Sequence, residues 1–324
     1  MTMTTGLRRA APAAAGGPPA TGAPPGATAR RRPQNRWALL FLTPWIIGLV
    51  FLTLGPLLAS LVMSFTDYDL LTAPRWAGLG NYTTMFTADP LWRQSLTVTA
   101  VYVAVAVPLQ LAFALLLATI LNRGIKGMSV WRALYYLPSL FGSSVAIAIL
   151  WREIFGADGL LNTLLGVIGI HSTTSWIGNP DWALGTLILL RVWEFGSPMI
   201  IFLAGLRQIP AEIYESASLD GAGGLRKFFS ITLPMLTPII FFNLILQVIN
   251  AFQVFGSAFI IGGGQGGPGN SMLVYTLYLY QAAFTNFQMG YAAAMAWVLL
   301  VIIGTVTAAN FWLSRYWVHY SDAE

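Results

Sequence analysis

The chain has 324 residues, 56% of them hydrophobic and only 9% charged, where a soluble domain carries about a quarter charged. This composition excludes a soluble globular protein and points to a polytopic membrane protein. The net charge of +5 does not indicate nucleic-acid binding, because the basic residues form no folded face interleaved with exposed aromatics, and the lack of cysteine excludes disulfides and thiolate chemistry.

Residues 1–36 are rich in Ala, Pro, Gly and Thr, with six arginines and no acid, and read as a disordered cytoplasmic tail. A transit leader shares that composition. A cleaved signal peptide fits worse, since the apolar run that follows, 37–66, exceeds the roughly 7–15 residues of a signal core. That run is the expected first span. Residues 67–93, with Asp67, Asp69, Arg75, Asp89 and Arg93, form a loop in which Asn81-Tyr-Thr is a formal glycosylation sequon. The uncharged run 94–122 is a second span, since roughly 20 residues suffice to cross. A basic turn with Arg123, Lys126 and Arg132 leads to a third span, 133–151, where neighbouring helices can satisfy the carbonyl freed by Pro138. After a loop at 152–181, the fourth span covers 182–206. It places Arg191 and Glu194 on one helical face, and Gly196-Ser-Pro198 invites a local break.

Residues 207–234 are a polar island between long apolar segments. Pro210, Glu212 and Glu215 suit a helix start, Asp220-Gly221 suits its end, and Arg226 and Lys227 mark the return to the membrane. The uncharged stretch 228–314 is too long for one crossing. Six glycines and a proline in 262–270 divide it and predict a flexible external turn. Span five is then 231–261, the polar segment 271–288 is an interfacial or re-entrant helix, and span six is 289–314. With both termini inside, thirteen of the 17 basic residues face the cytoplasm, which places the polar island there.

The spacing of Glu215-Ser-Ala217, Gly221 and Ile231-Thr-Leu233-Pro234 resembles the EAA loop of ABC-importer permeases. Ile209-Pro-Ala-Glu-Ile-Tyr-Glu215 and Leu219-Asp-Gly-Ala222 resemble its carbohydrate branch, as do Trp76-Ala-Gly-Leu-Gly-Asn-Tyr82, Asp89-Pro-Leu-Trp92, Trp151-Arg-Glu-Ile-Phe155 and Met289-Gly-Tyr-Ala292. Ser216 departs from the family's usual alanine but is small and helix-compatible. The resemblance implies an all-α permease domain over 37–317 with six transmembrane helices, a cytoplasmic EAA coupling loop between spans four and five, and a short cytoplasmic tail at 318–324. It also implies a multi-pass protein of the bacterial cell membrane, surrounded by lipid. Its partners would be a second permease subunit, two ATPase subunits and an extracytoplasmic sugar-binding protein. ATP and Mg would be held by the ATPase and no cofactor by this chain. Docking to the ATPase would fall to Glu212, Glu215, Ser216, Ala217, Asp220, Gly221, Ile231, Leu233 and Pro234.

The residues themselves show no catalytic or metal-binding motif. The glycine-rich segment lacks the Lys-Ser/Thr of a Walker loop, and neither a GxSxG elbow nor an HExxH motif occurs. His171 and His319 are isolated. In span five, Asn243, Gln247, Asn250 and Gln253 share a broad face, with Phe252 and Phe255 nearby. They suit either a sugar path, where amides pair with an aromatic platform, or hydrogen bonds between helices. Arg191 and Glu194 likewise either brace a helix end or, through Glu194, face the path. Three alternatives remain open. A glycerol-3-phosphate permease shares much of the pattern. A membrane-embedded glycosyltransferase requires clustered acids, whereas Asp67, Asp69, Asp89, Glu153, Asp158 and Asp181 are scattered along the loops. A secondary transporter has no use for a docking loop.

Overall fold

The computed structural model describes residues 35–122, 128–142, 144–171 and 174–319. The expected N-terminal tail lies almost wholly outside them, as do Arg123, Lys126 and most of 318–324. The chain divides into two units at Gly55 and Pro56. The first contains helix α1 (Asn35–Gly48) and a π-turn at Leu49–Leu54, on which Phe41, Trp45 and Phe51 are exposed.

The second opens in α2 (Gly55–Met63). The helix expected to reach residue 66 stops here, because the Ser64 and Thr66 hydroxyls take the carbonyls of Leu61 and Met63 and the chain turns into a strand. Strand β1 (Thr66–Asp67) pairs antiparallel with β2 (Arg75–Trp76), a small departure from an all-helical fold. In α3 (Gly80–Thr87), the Asn81 side-chain amide donates to the carbonyls of Ser64 and Thr66 at 2.9 Å each. The sequon asparagine therefore ties the hairpin to α3.

Helix α4 (Pro90–Leu121) is the centre of the second unit. Asp89 caps it, accepting from the amides of Leu91 and Trp92, and Pro90 stands at a position where no amide hydrogen is needed. Tyr102, Ala106, Gln110, Ala114 and Ala118 recur every fourth residue and are at most 1% exposed. Three alanines on that stripe let α8, α9 and α13 approach α4 closely.

Helices α5 (Met128–Phe141) and α6 (Val145–Ile154) replace the continuous third span and meet at 95°. The Gly142 amide closes α5 on the Pro138 carbonyl, and Ser144, extended and accepting from the Ile147 amide, caps a new helix. After α7 (Leu160–Val167), the fourth run is α8 (Pro180–Trp193) followed by α9 (Gly196–Leu206), bent by 42°. The polar island forms α10 (Ala211–Leu219) and α11 (Gly224–Lys227), then passes through a π-turn at Phe228–Thr232 and α12 (Leu233–Met235) to α13 (Thr237–Phe252).

The fifth run also differs from the single helix expected over 231–261. It bends by 66° on entering α13, and the regular helix ends at Phe252. The Val254 carbonyl is taken by the Thr276 hydroxyl, and α14 (Gly256–Ile261) starts afresh. The turn expected to be flexible is instead closed by hydrogen bonds. Met272 N–H donates to the Gly266 carbonyl at 2.8 Å, and Gln94 reaches the Gly269 carbonyl at 2.9 Å. Gly266 is required there, since its φ is +84° and a Cβ would lie 2.8 Å from that of Leu273. The segment 271–288 supplies α15 (Tyr275–Tyr280) with a π-turn at Gln281–Thr285, and α16 (Met289–Ser314) closes the fold.

Phe41–Met63, Pro90–Leu121 and Met289–Ser314 are each long and apolar enough to cross a membrane. Counting each bent pair as one crossing brings the candidate spans among the described residues to as many as six.

Candidate functional site

The break between α8 and α9 brings together polar residues from three helices. Glu194 ends α8, and its carboxylate takes the Arg191 guanidinium at 3.2 Å, each side chain only 16% exposed. The other arm of Arg191 donates to Gln247 of α13 at 2.8 Å. From α4, the Gln110 amide donates to the Glu194 backbone carbonyl at 3.1 Å. On the far side lies Gly142 at the α5–α6 bend, where a Cβ would stand 2.3 Å from Glu194 Cγ. Three helices and a turn thus converge on one ion pair.

This ion pair borders a cavity of about 240 Å³, lined also by Tyr102, Asn250, Gln253 and Phe255. Of the six candidate path residues, Glu194, Asn250 and Gln253 line it. Gln247 sits behind it, engaged with Arg191. Phe252 and Asn243 do not line it. Two residues along a helix turn a side chain by about 200°, so Phe252 faces the core and Phe255, beyond the helix end, takes the aromatic place. Asn243 is fully buried, and neither of its amide atoms has a hydrogen-bond partner among the described residues. Tyr102, Gln110 and Gly142 were missed by the sequence reading; the four-residue stripe through Tyr102 and Gln110 was the available signal.

A second polar cluster closes one end of the bundle. Asp89 accepts from the hydroxyls of Tyr278 at 2.6 Å and Tyr291 at 2.5 Å. The Trp92 indole donates to the Tyr275 hydroxyl, which donates to the Met295 carbonyl. A polar cleft of about 360 Å³ opens beside Asp89, walled by Asp67, Asp69, Asn81 and Gln288. Amides and hydroxyl of the Thr72 turn hold the exposed Asp69 carboxyl below its ordinary pKa.

The polar island is built differently. Gly221 leaves α10 at φ +75°, a conformation glycine reaches without strain, and Ala222 N–H returns to the Ala217 carbonyl. Pro210 stands at the N-cap, one residue before the helix proper. Glu212, Glu215, Ser216, Asp220 and Gly221 are exposed, while Ala217, Ile231, Leu233 and Pro234 are half-buried. Tyr214 meets Thr232 at 2.9 Å and Lys227 meets Ser218 at 2.5 Å, folding the two halves together. Leu219 and Leu225 project at 91% and 78% exposure.

Residues 92–317 match the binding-protein-dependent transport system inner membrane component family, to which the chain belongs. It is therefore a permease, a transport component rather than an enzyme, and the glycosyltransferase and secondary-transporter alternatives fall away. Among its relatives, the "Probable ABC transporter permease protein YesP" of Bacillus subtilis is 55% identical over 90% of this chain and 95% of its own length. The lactose transport system permease protein LacF of Rhizobium radiobacter is 33% identical over 87% and 94% of the two chains. A chain of a bacterial ABC transporter involved in the import of the acidic polysaccharide alginate superposes with a TM-score of 0.75, covering 87% of this chain and 96% of that one. At 21% identity, that likeness concerns the fold.

Proposed function

We propose that this chain is a translocating subunit of an ATP-driven importer for a carbohydrate, which an extracytoplasmic sugar-binding protein delivers. Each bent pair is one crossing, giving six spans with both termini in the cytoplasm. The Asp89 end faces outward and residues 207–234 face the ATPase. A second permease completes the path, and two ATPase subunits hold the ATP and Mg.

The observation that carries this reading is the island itself, which leaves Leu219 and Leu225 in solvent at the tip of a polar segment. Leucines exposed to this extent are available to anchor a protein partner. Glu215 is offered to a basic residue of the ATPase groove, and Gly221 makes the turn tight enough to enter it. Relatives that carry sugars support the substrate class, and the amides, ion pair and aromatic ring around the Glu194 cavity are suited to hydroxyl-rich solutes.

The test is to tag the chain at native expression, extract it gently and identify the co-purifying proteins by mass spectrometry. A second polytopic chain and an ATPase are expected, both present with the natural sequence and the ATPase lost with Glu215→Arg. Sugar released from a co-purified binding protein then names the substrate. Recovery of this chain alone, still moving solute in liposomes, refutes the reading.

A further inference from the structure

Pro198 lies in the first turn of α9 and has no amide hydrogen. Its normal helical acceptor is the carbonyl four residues earlier, that of Glu194, which the helix therefore cannot satisfy from within. In a membrane such a group requires a donor from a neighbouring helix. Gln110, only 1% exposed and on the tightly packed stripe of α4, supplies one at 3.1 Å. Its amide oxygen has no hydrogen-bond partner, so this donation is the polar contact of the side chain in the described structure. The carbonyl belongs to the same residue whose carboxylate holds Arg191 at the cavity wall.

We propose that Gln110 is a positioning residue of the translocation path: it replaces the N–H that Pro198 lacks and so fixes the helix break that presents Arg191 and Glu194 to the cavity. The clip itself rests on the hydrogen bond, and its consequence for transport rests on reading that cavity as the path. Gly142 leaves the Glu194 side chain room on one side, Arg191 links it to Gln247 on another, and Gln110 anchors its backbone.

The test is a double-mutant cycle on the full complex, comparing Gln110→Leu, Pro198→Ala and the two together. Pro198→Ala restores the missing amide hydrogen, which can bond the Glu194 carbonyl within the helix and make Gln110 dispensable. The probe is MgATP hydrolysis by the complex reconstituted with its own binding protein. Gln110→Leu is expected to lower the maximal rate about tenfold at an unchanged half-saturating MgATP concentration, and by less than about twofold in the Pro198→Ala background. Melting of the extracted complex follows the same cycle without requiring turnover, and decides the matter if Pro198→Ala alone is inactive: Gln110→Leu should lower it by about 3 °C when the proline is present and not at all once the proline is replaced. An equal cost in both backgrounds overturns the proposal. So does a melting cycle of the expected form in which Gln110→Leu leaves the rate untouched. Full turnover by Glu194→Gln, beside a Gln110 cycle that behaves as expected in both readouts, refutes the path role of the Glu194 carboxylate and leaves the clip standing.

Discussion

The Asp89 end and the 207–234 loop are two polar regions of the described structure, and they are built on opposite principles. Helix α16 separates them. Tyr291 near its start meets Asp89, and the backbone just past its end, at His319, meets Thr237 at the start of α13. At 1.5 Å per residue its 26 residues span about 39 Å. At the Asp89 end, polar groups are turned inward and paired across chain separations of 189 and 202 residues. In the loop, the bonds that shape the segment are local, and Leu219 and Leu225 point outward. One end is closed by bonds within this chain, while the other, on the proposed function, is completed by the ATPase, so substitutions at the first should act on stability and those at the second on assembly.

Asp89→Ala should have the largest effect. It removes a helix cap and leaves two nearly buried tyrosine hydroxyls without an acceptor, a loss of about 3 kcal/mol. Thermal melting of the extracted complex is expected to drop sharply, and adding Tyr278→Phe and Tyr291→Phe to recover part of the loss by removing the orphaned hydroxyls. Normal melting with impaired turnover would instead make Asp89 a functional group and break the contrast. Gly290→Ala follows. A Cβ there would stand 2.0 Å from the Thr66 carbonyl oxygen, and the Gly290 amide donates to Tyr68, so the hairpin must shift at a cost of about 2 kcal/mol. Fewer assembled complexes, each turning over normally, is the expected result in a quantified reconstitution.

What the sequence made legible follows the same division. The helix of the loop could be read because its signals are local: Glu212 in its first turn and Asp220-Gly221 at its end. Arg191 and Glu194 were legible as a pair because three residues bring them to one face, and Gly196-Ser-Pro198 showed that the helix would break. The partners of that break were not legible. Gln110 lies 84 residues away on another helix, and a lone glutamine in an apolar run does not declare what it bonds. Asp89 was counted among scattered loop acids for the same reason. The glycines of 262–270 misled in the other direction: their positive φ angles serve a closed turn, a use that composition cannot distinguish from flexibility.

Gly221→Val sharpens the comparison from the loop side. A β-branched residue at φ +75° is strained by about 1 kcal/mol, but the turn is exposed and can relax locally. Melting should move little while the amount of ATPase retained in a pull-down falls severalfold. Melting lowered as far as by Gly290→Ala would show that the loop is part of the folded core.

Leu219→Ser gives the smallest expected change in stability and therefore the cleanest separation of the two regions. The side chain is 91% exposed and ends α10 without covering any neighbour, so its removal should alter the stability of this chain by no more than about 0.5 kcal/mol. If the tip enters a groove of the ATPase, the same substitution removes an apolar anchor from the centre of a contact, where a few side chains carry most of the affinity. ATPase retention is then expected to fall at least tenfold with melting unchanged. Leu225→Ser, 78% exposed on the other half of the loop, should act in the same direction. Full retention with both leucines replaced would mean that the exposed tip is not the docking surface, and Glu212 and Glu215 would have to hold the partner through charge alone, which a titration of retention against salt would reveal.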